Sequence, residues 1–374
     1  MTSSGTDLLE LAAELVDIPS VSHGEAAITD WIEARLQKEA PWLTVDRVGE
    51  NVVARTSLDR GLRVVLAGHT DTVPVNENAG ARIEGDTLWG LGASDMKSGL
   101  AVFLDLACTV ESPAVDVTYV FYACEEVSLE DNGLRTLLHT RPDLLEGDAA
   151  ILGEPTGGLV EAGCQGTLRV RARFVGDRAH TARPWMGRNA IHRLGAVLSS
   201  LASYEERRVV LGGCEFREAL QAVDVRGGVA GNVVPDAAEL TVNHRYAPDR
   251  TGDQALAHVL DVLSAGGFDA PASASAPALV GGDSWELLDD AAPAPPALDH
   301  PLLAALVAST GQPPKAKLGW TDVSFFSEAG IPATNFGPGD PNLAHTRDEH
   351  VERGAIESVH AAVHRLLVGG LGAA

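Results

Sequence analysis

The chain has 374 residues, too many for one small core, and its 45% apolar and 21% charged content is that of an ordinary globular protein. Against 28 basic side chains stand 52 acidic ones, a net charge of -24, which argues against nucleic acid and against an anionic membrane as partners. The start of the chain lacks the basic residues and apolar run of a signal peptide, no window reaches a membrane span, and Cys108, Cys124, Cys164 and Cys214 show no metal or disulfide spacing. The expected setting is the cytoplasm, with reduced thiols.

Along the chain, Leu8, Leu11, Ala12, Leu15 and Val16, then Ile28, Trp31, Ile32 and Leu36, recur at helical spacing and predict amphipathic helices packed on a sheet. Apolar runs at Arg63–Ala67, Val117–Ala123 and Ala149–Leu152 read as strands buried on both faces of an α/β sheet. The style changes after Gly166. Leu168, Val170, Ala172 and Phe174 alternate with Arg169, Arg171 and Arg173, the mark of a half-exposed antiparallel strand. A helix near Asn189–Leu201, strands near Ala222–Val229 and Ala238–Tyr246, and a helix near Gln254–Leu263 follow. The stretch Pro271 to Pro296, rich in Ala, Pro and Ser, reads as linker and surface loop. The expected division is residues 1–166 and 281–374 as one catalytic domain and 167–280 as an inserted α+β domain.

Five short motifs carry chemistry. They place His69 and Asp71 in Gly-His-Thr-Asp-Thr-Val-Pro, Asp95 in Gly-Ala-Ser-Asp-Met-Lys, Glu125 and Glu126 after Phe-Tyr-Ala-Cys, Glu154 in Gly-Glu-Pro-Thr, and His345 in Asn-Leu-Ala-His-Thr-Arg-Asp-Glu. Each is commonplace alone, since acids and histidines abound at loop ends. Together they fall at strand ends or in Gly/Pro-rich loops, where open α/β sheets gather their ligands. Zinc takes imidazole nitrogen and carboxylate oxygen, and two such ions need a bridging carboxylate, terminal ligands and a nearby base. Asp95, in a Gly-rich turn, is the candidate bridge. Asp71, two residues beyond His69, can hold its imidazole. Of Glu125 and Glu126, which project differently from a strand end, one can bind metal while the other moves protons. His192 and His244 are read as structural.

These motifs resemble the co-catalytic zinc family of aminoacylases, carboxypeptidases, acetylornithine deacetylases and succinyl-diaminopimelate desuccinylases. The resemblance implies a di-zinc aminopeptidase-like α/β catalytic domain with an inserted lid, or dimerisation, domain. It implies two zinc (or cobalt) ions per subunit, one on His69 and Glu154, the other on Glu126 and His345, with Asp95 bridging. Glu125 would be the general base and Asp71 the group orienting His69. Stretches 161–170, 178–192, 227–236, 243–250 and 319–324 further resemble the desuccinylases of actinobacterial type. By that likeness His180 would reach the partner's active site in a homodimer and stabilise the oxyanion. Asn232, Arg245 and Thr321 would contact the substrate, with Arg183 a further contribution from the partner lid. The expected substrate is a small N-acyl amino acid, N-succinyl-L,L-diaminopimelate. The alternatives are a deacetylase of acetylornithine type, a dipeptidase, or an inactive metal-binding dimeric scaffold. The chain departs from the family at Ser94, at Cys124 where Asn often precedes the Glu pair, and near Gln165 where a basic residue is missing.

Overall fold

The computed structural model describes residues 7–271 and 282–372. Leu8–Val16 begins behind an Asp7 cap whose Oδ1 accepts the Leu9 and Glu10 N–H groups, and it buries Leu9, Leu11, Ala12 and Leu15 as the spacing predicts. With Ala26–Glu39, Lys97–Thr109 and Arg353–Gly369 it packs around one large sheet.

That sheet runs in the order Thr44–Val48, Asn51–Arg55, Asp116–Tyr122, Arg63–His69, Ala149–Leu152, Ala333–Asn335, Glu161–Ala162, Lys315–Ala316. Its centre is parallel: Arg63–His69 lies between Asp116–Tyr122 and Ala149–Leu152, and the last of these also pairs in parallel with Ala333–Asn335. Asp116–Tyr122 and Ala149–Leu152 are buried at every residue, so the apolar runs do report strands covered on both faces. All three central strands point their carboxyl ends at one rim, where His69, the Glu pair and Glu154 follow.

The inserted domain is a four-stranded antiparallel sheet with two helices, Ala190–Ala202 and Gly252–Ala265, packed against it. Gly166–Val175 buries Leu168, Val170, Ala172 and Phe174 on the helix side. The expected linker is where the reading needs correction. Residues 272–281 of it lie outside the described residues, but Ser284–Ala291 is a strand paired with Gly166–Val175, so the inserted sheet ends at Ala291 rather than at 280. Salt bridges from Arg169 to Asp289 (2.8 Å) and from Arg171 to Glu286 (3.1 Å) tie it in place. Flanking Ala and Pro dilute that short Trp-Glu-Leu-Leu signal. A hairpin of Arg208–Leu211 and Cys214–Arg217 also went unread, and its Cys214 and Phe216 pack back on Ala162 and Ala316 of the large sheet.

Candidate active site

His69 ends the central strand and is 1% exposed. Its Nδ1 lies 3.1 Å from the Asp71 carbonyl oxygen and 3.5 Å from Asp71 Oδ1, which leaves Nε2 aimed at Asp95 Oδ1, 3.2 Å away. Asp71 is wholly buried. Its Oδ1 accepts the Glu125 N–H (2.9 Å), and its Oδ2 accepts the Glu126 N–H (3.0 Å) and the Ser22 hydroxyl (2.7 Å). Burial works to raise the Asp71 pKa, but His69 and these donors outweigh it and bring the group down to about 2.

Asp95 sits in the turn before helix Lys97–Thr109, and its N–H and that of Ser94 are both held by buried Glu349 Oε1, at 3.0 and 2.9 Å. Its carboxylate faces two imidazoles, one oxygen to each: Oδ1 to His69 and Oδ2 to His345 Nε2 at 3.5 Å. His345, in a left-handed conformation (φ 62°), also meets Glu126 Oε1 at 2.8 Å. Coordinating atoms of His69, Asp95 and Glu126 lie within 4.8 Å of one another. Glu154, 5% exposed, follows the Ala149–Leu152 strand, and its Oε1 has no hydrogen-bond partner among the described residues.

The electrostatics are those of a cluster short of positive charge. Burial, and after it the Asp95 carboxylate, push Glu154 up to about 7. Glu125 is raised well above the ordinary range by burial and by nearby Asp322. Hydrogen bonds to Asp95 and Glu126 lift His345 to about 10. Buried acids facing neutralisable imidazoles, with one carboxylate oxygen orphaned, fit a pair of divalent cations, and the nitrogen and oxygen donors suit zinc. His69, Asp95, Glu126, Glu154 and His345 are the residues that could hold them.

A cavity of about 620 Å³ opens over these groups, lined also by Thr321, Lys315 and Lys317. Thr321 is buried and donates its hydroxyl to Asn335 Oδ1 (2.9 Å). The other expected substrate groups lie elsewhere. His180 is in a two-residue strand paired with Val233–Val234 and is exposed, with the Ala182 N–H donating to its Nδ1 at 3.0 Å. Asn232, whose carbonyl accepts the Thr181 N–H, and Arg183 are exposed beside it. Arg245 is half-buried on the inserted sheet, opposite Thr167, where burial and Arg169 depress its pKa. None of these four lines the cavity.

Three buried groups went unread. Asp322 takes two hydrogen bonds from Asn132 Nδ2 (2.9 and 3.2 Å) and is pushed up to about 6, chiefly by burial. It directly follows Thr321, so the Thr-Asp pair was its available signal. Glu349, raised to about 7 chiefly by burial, lies four residues beyond His345 inside the quoted motif. Lys317 donates to the Pro155 carbonyl (3.1 Å) and pairs with Glu161 (3.2 Å). Its signal is weak, an alternating Lys-Ala-Lys.

Comparison with known proteins places the chain in a family and a fold. The family model described as Peptidase family M20/M25/M40 matches residues 65–368. A Mycobacterium tuberculosis protein provisionally named succinyl-diaminopimelate desuccinylase DapE is 53% identical, over 97% of this chain and 98% of its own. The succinyl-diaminopimelate desuccinylase of Corynebacterium glutamicum is 42% identical over 96% of each. Among solved structures, the aminopeptidase PepT of Bacillus cereus aligns at a TM-score of 0.77 with 16% identity, covering 96% of this chain and 97% of that one. A dinuclear metal-binding peptidase of Bacillus subtilis aligns at 0.66 with 17% identity, covering 96% of both.

Proposed function

The chain belongs to peptidase family M20/M25/M40, and from that premise we propose that it hydrolyses the amide of N-succinyl-L,L-2,6-diaminopimelate to succinate and L,L-diaminopimelate. The reaction would serve diaminopimelate and lysine biosynthesis in the cytoplasm. The observation that carries amide hydrolysis is Asp95, one oxygen toward each imidazole, in one cavity with buried Glu154, whose Oε1 has no hydrogen-bond partner among the described residues. The names of relatives at 53% and 42% identity over nearly the whole chain support the succinyl group.

Two zinc or cobalt ions held by His69, Asp95, Glu126, Glu154 and His345 would polarise the amide carbonyl and acidify the attacking water. Glu125 takes the proton from that water and returns it to the departing amine. Asp71 keeps His69 in the tautomer that leaves Nε2 free. Thr321, which lines the cavity, would contact the substrate there.

His180, Asn232, Arg183 and Arg245 belong to this reading through assembly. The inserted sheet presents Ala219–Gly227 as an open edge, with Val223 and Val225 exposed, and Trp185 and Met186 are exposed near His180. Such an edge calls for a partner. A symmetric homodimer joined there brings His180 of the partner subunit to the cavity, where it stabilises the oxyanion, an interaction typically worth about 2.7–4 kcal/mol. Arg245 and the partner's Arg183 then receive the carboxylates.

The test is release of free amine by the zinc-loaded protein from matched N-succinyl and N-acetyl amino acids. A stranded carboxylate partner costs about 1.5–3 kcal/mol, so the succinyl substrate should lead by about ten- to 150-fold in kcat/KM. Arg245→Ala should lower that lead sharply. Equal or faster hydrolysis of acetylornithine would defeat the desuccinylase assignment and leave the amidohydrolase intact.

A further inference from the structure

After the strand Asp116–Tyr122 the chain must aim two adjacent glutamates in different directions before the helix that begins at Gly133. It does so with a run of consecutive N–H groups, each held by a buried side-chain oxygen. Asn51 Oδ1 takes the Ala123 N–H at 2.9 Å, and Glu25 Oε1 takes the Cys124 N–H at 3.1 Å. Asp71 then takes those of Glu125 and Glu126. Within this run Cys124 has φ of 60°, the left-handed region that Gly and Asn enter readily and most other side chains avoid. Glu25 is 2% exposed, stands just before helix Ala26–Glu39, and puts the same Oε1 within 3.2 Å of the Cys124 thiol, which donates to it. One carboxylate oxygen therefore grips both the backbone and the side chain of the strained residue.

We propose that Glu25 is a positioning residue for the Glu pair: by clamping Cys124 N–H and S–H it holds Cys124 left-handed and so sets the divergence of Glu125 from Glu126. The inference rests on the reading of Glu125 as proton carrier and Glu126 as ligand. Asp71 fixes the two N–H groups, but the direction from which the chain arrives at them is decided one residue earlier. In this chain Glu25 supplies from outside the turn the restraint that an Asn would carry within it.

The experiment is a double-mutant cycle between residues 25 and 124, read in kcat and KM on N-succinyl-diaminopimelate and in zinc retained against a chelator. E25A should lower kcat by about thirtyfold or more, as displacements near 1 Å do, with KM within about threefold and one of the two zinc ions released more readily. E25Q keeps an acceptor oxygen and should stay within about fivefold of the parent. In a C124N background, where Asn accepts the left-handed backbone, the factor lost to E25A should shrink at least about threefold. Should E25A not accumulate as folded protein, Glu25→Ser carries the same cycle. An identical loss in both backgrounds, or an E25A effect confined to melting temperature, overturns the proposal. A parent enzyme that fails to release amine overturns the desuccinylase reading instead, and the zinc-retention arm of the cycle still decides the role of Glu25.

Discussion

Asp71→Asn changes no shape and one charge, and the structure says which bonds it must lose. The carboxylate receives the Glu125 N–H on Oδ1 and the Glu126 N–H and Ser22 hydroxyl on Oδ2, all without solvent. An amide offers one oxygen. Turned to keep Glu125, it sets its NH2 against the Glu126 N–H, while the Ser22 hydroxyl can rotate to accept. One buried N–H is then stranded, and the remaining bonds lose their charge assistance, for a total of about 2–4 kcal/mol. Because Asp71 titrates at about 2, the loss should be nearly constant from neutral pH down to mild acid. The Glu pair shifts with its N–H groups, so kcat should fall about a hundredfold while KM moves little. Melting temperature, kcat and KM measured together on the zinc-loaded variant are the assay. A D71N enzyme within twofold of the parent in kcat and unchanged in melting temperature would refute the account.

Glu125→Gln should keep both metals and lose activity by several orders of magnitude; metal lost with turnover would make Glu125 a ligand and reverse the division of the pair. Mixing His180→Ala with Glu125→Gln protein should restore activity, since a heterodimer holds one intact composite site, and no rescue despite proven subunit exchange would place His180 outside the partner's chemistry. Burial first, then His258 and Arg250, push the buried His244 down to about 3, against about 6.5 when unfolded. Above pH 6.5 neither state is protonated there. As pH falls from 6.5 toward 3 the unfolded chain takes up a proton that the fold refuses, and stability drops by at most about 1.4 kcal/mol per unit. His244→Leu should flatten this acid limb in melting temperature against pH, and an unchanged slope would refute it.

The catalytic sheet was legible because its strands carry dense signals: Arg63–His69 and Asp116–Tyr122 are largely apolar runs that end at or just before their chemistry. The grouping of His69, Asp71, Asp95, Glu126, Glu154 and His345 followed from where each motif stands in such a sheet. Groups that act on the backbone left no such trace. Glu25 looks like any acid at a helix start, and Glu349 like the tail of a motif already explained by His345. What fixes them is contact across 99 positions to Cys124 and 254 to Asp95. Ser284–Ala291 escaped because its partners, Arg169 and Arg171, are a hundred residues upstream and its own neighbours are Ala and Pro. The inserted domain's His180 and Arg183 are exposed and carry no packing signal of their own.

The parallel pairing of Ala149–Leu152 with Ala333–Asn335 sets an order of events during synthesis. When Leu152 leaves the ribosome, one side of its strand can already join Arg63–His69, but the other must wait for the last quarter of the chain. The inserted sheet and helices lie wholly within that interval, so they can fold as a unit while the larger sheet is still incomplete. An Ala-Ala-Ile-Leu edge stays open meanwhile, the kind of edge that pairs with strangers. His345 arrives later still, so of the proposed metal-holding groups an emerging chain first presents the acids and His69. Truncations beyond residue 335 but short of 345 would thus separate completion of the sheet from completion of the ligand set.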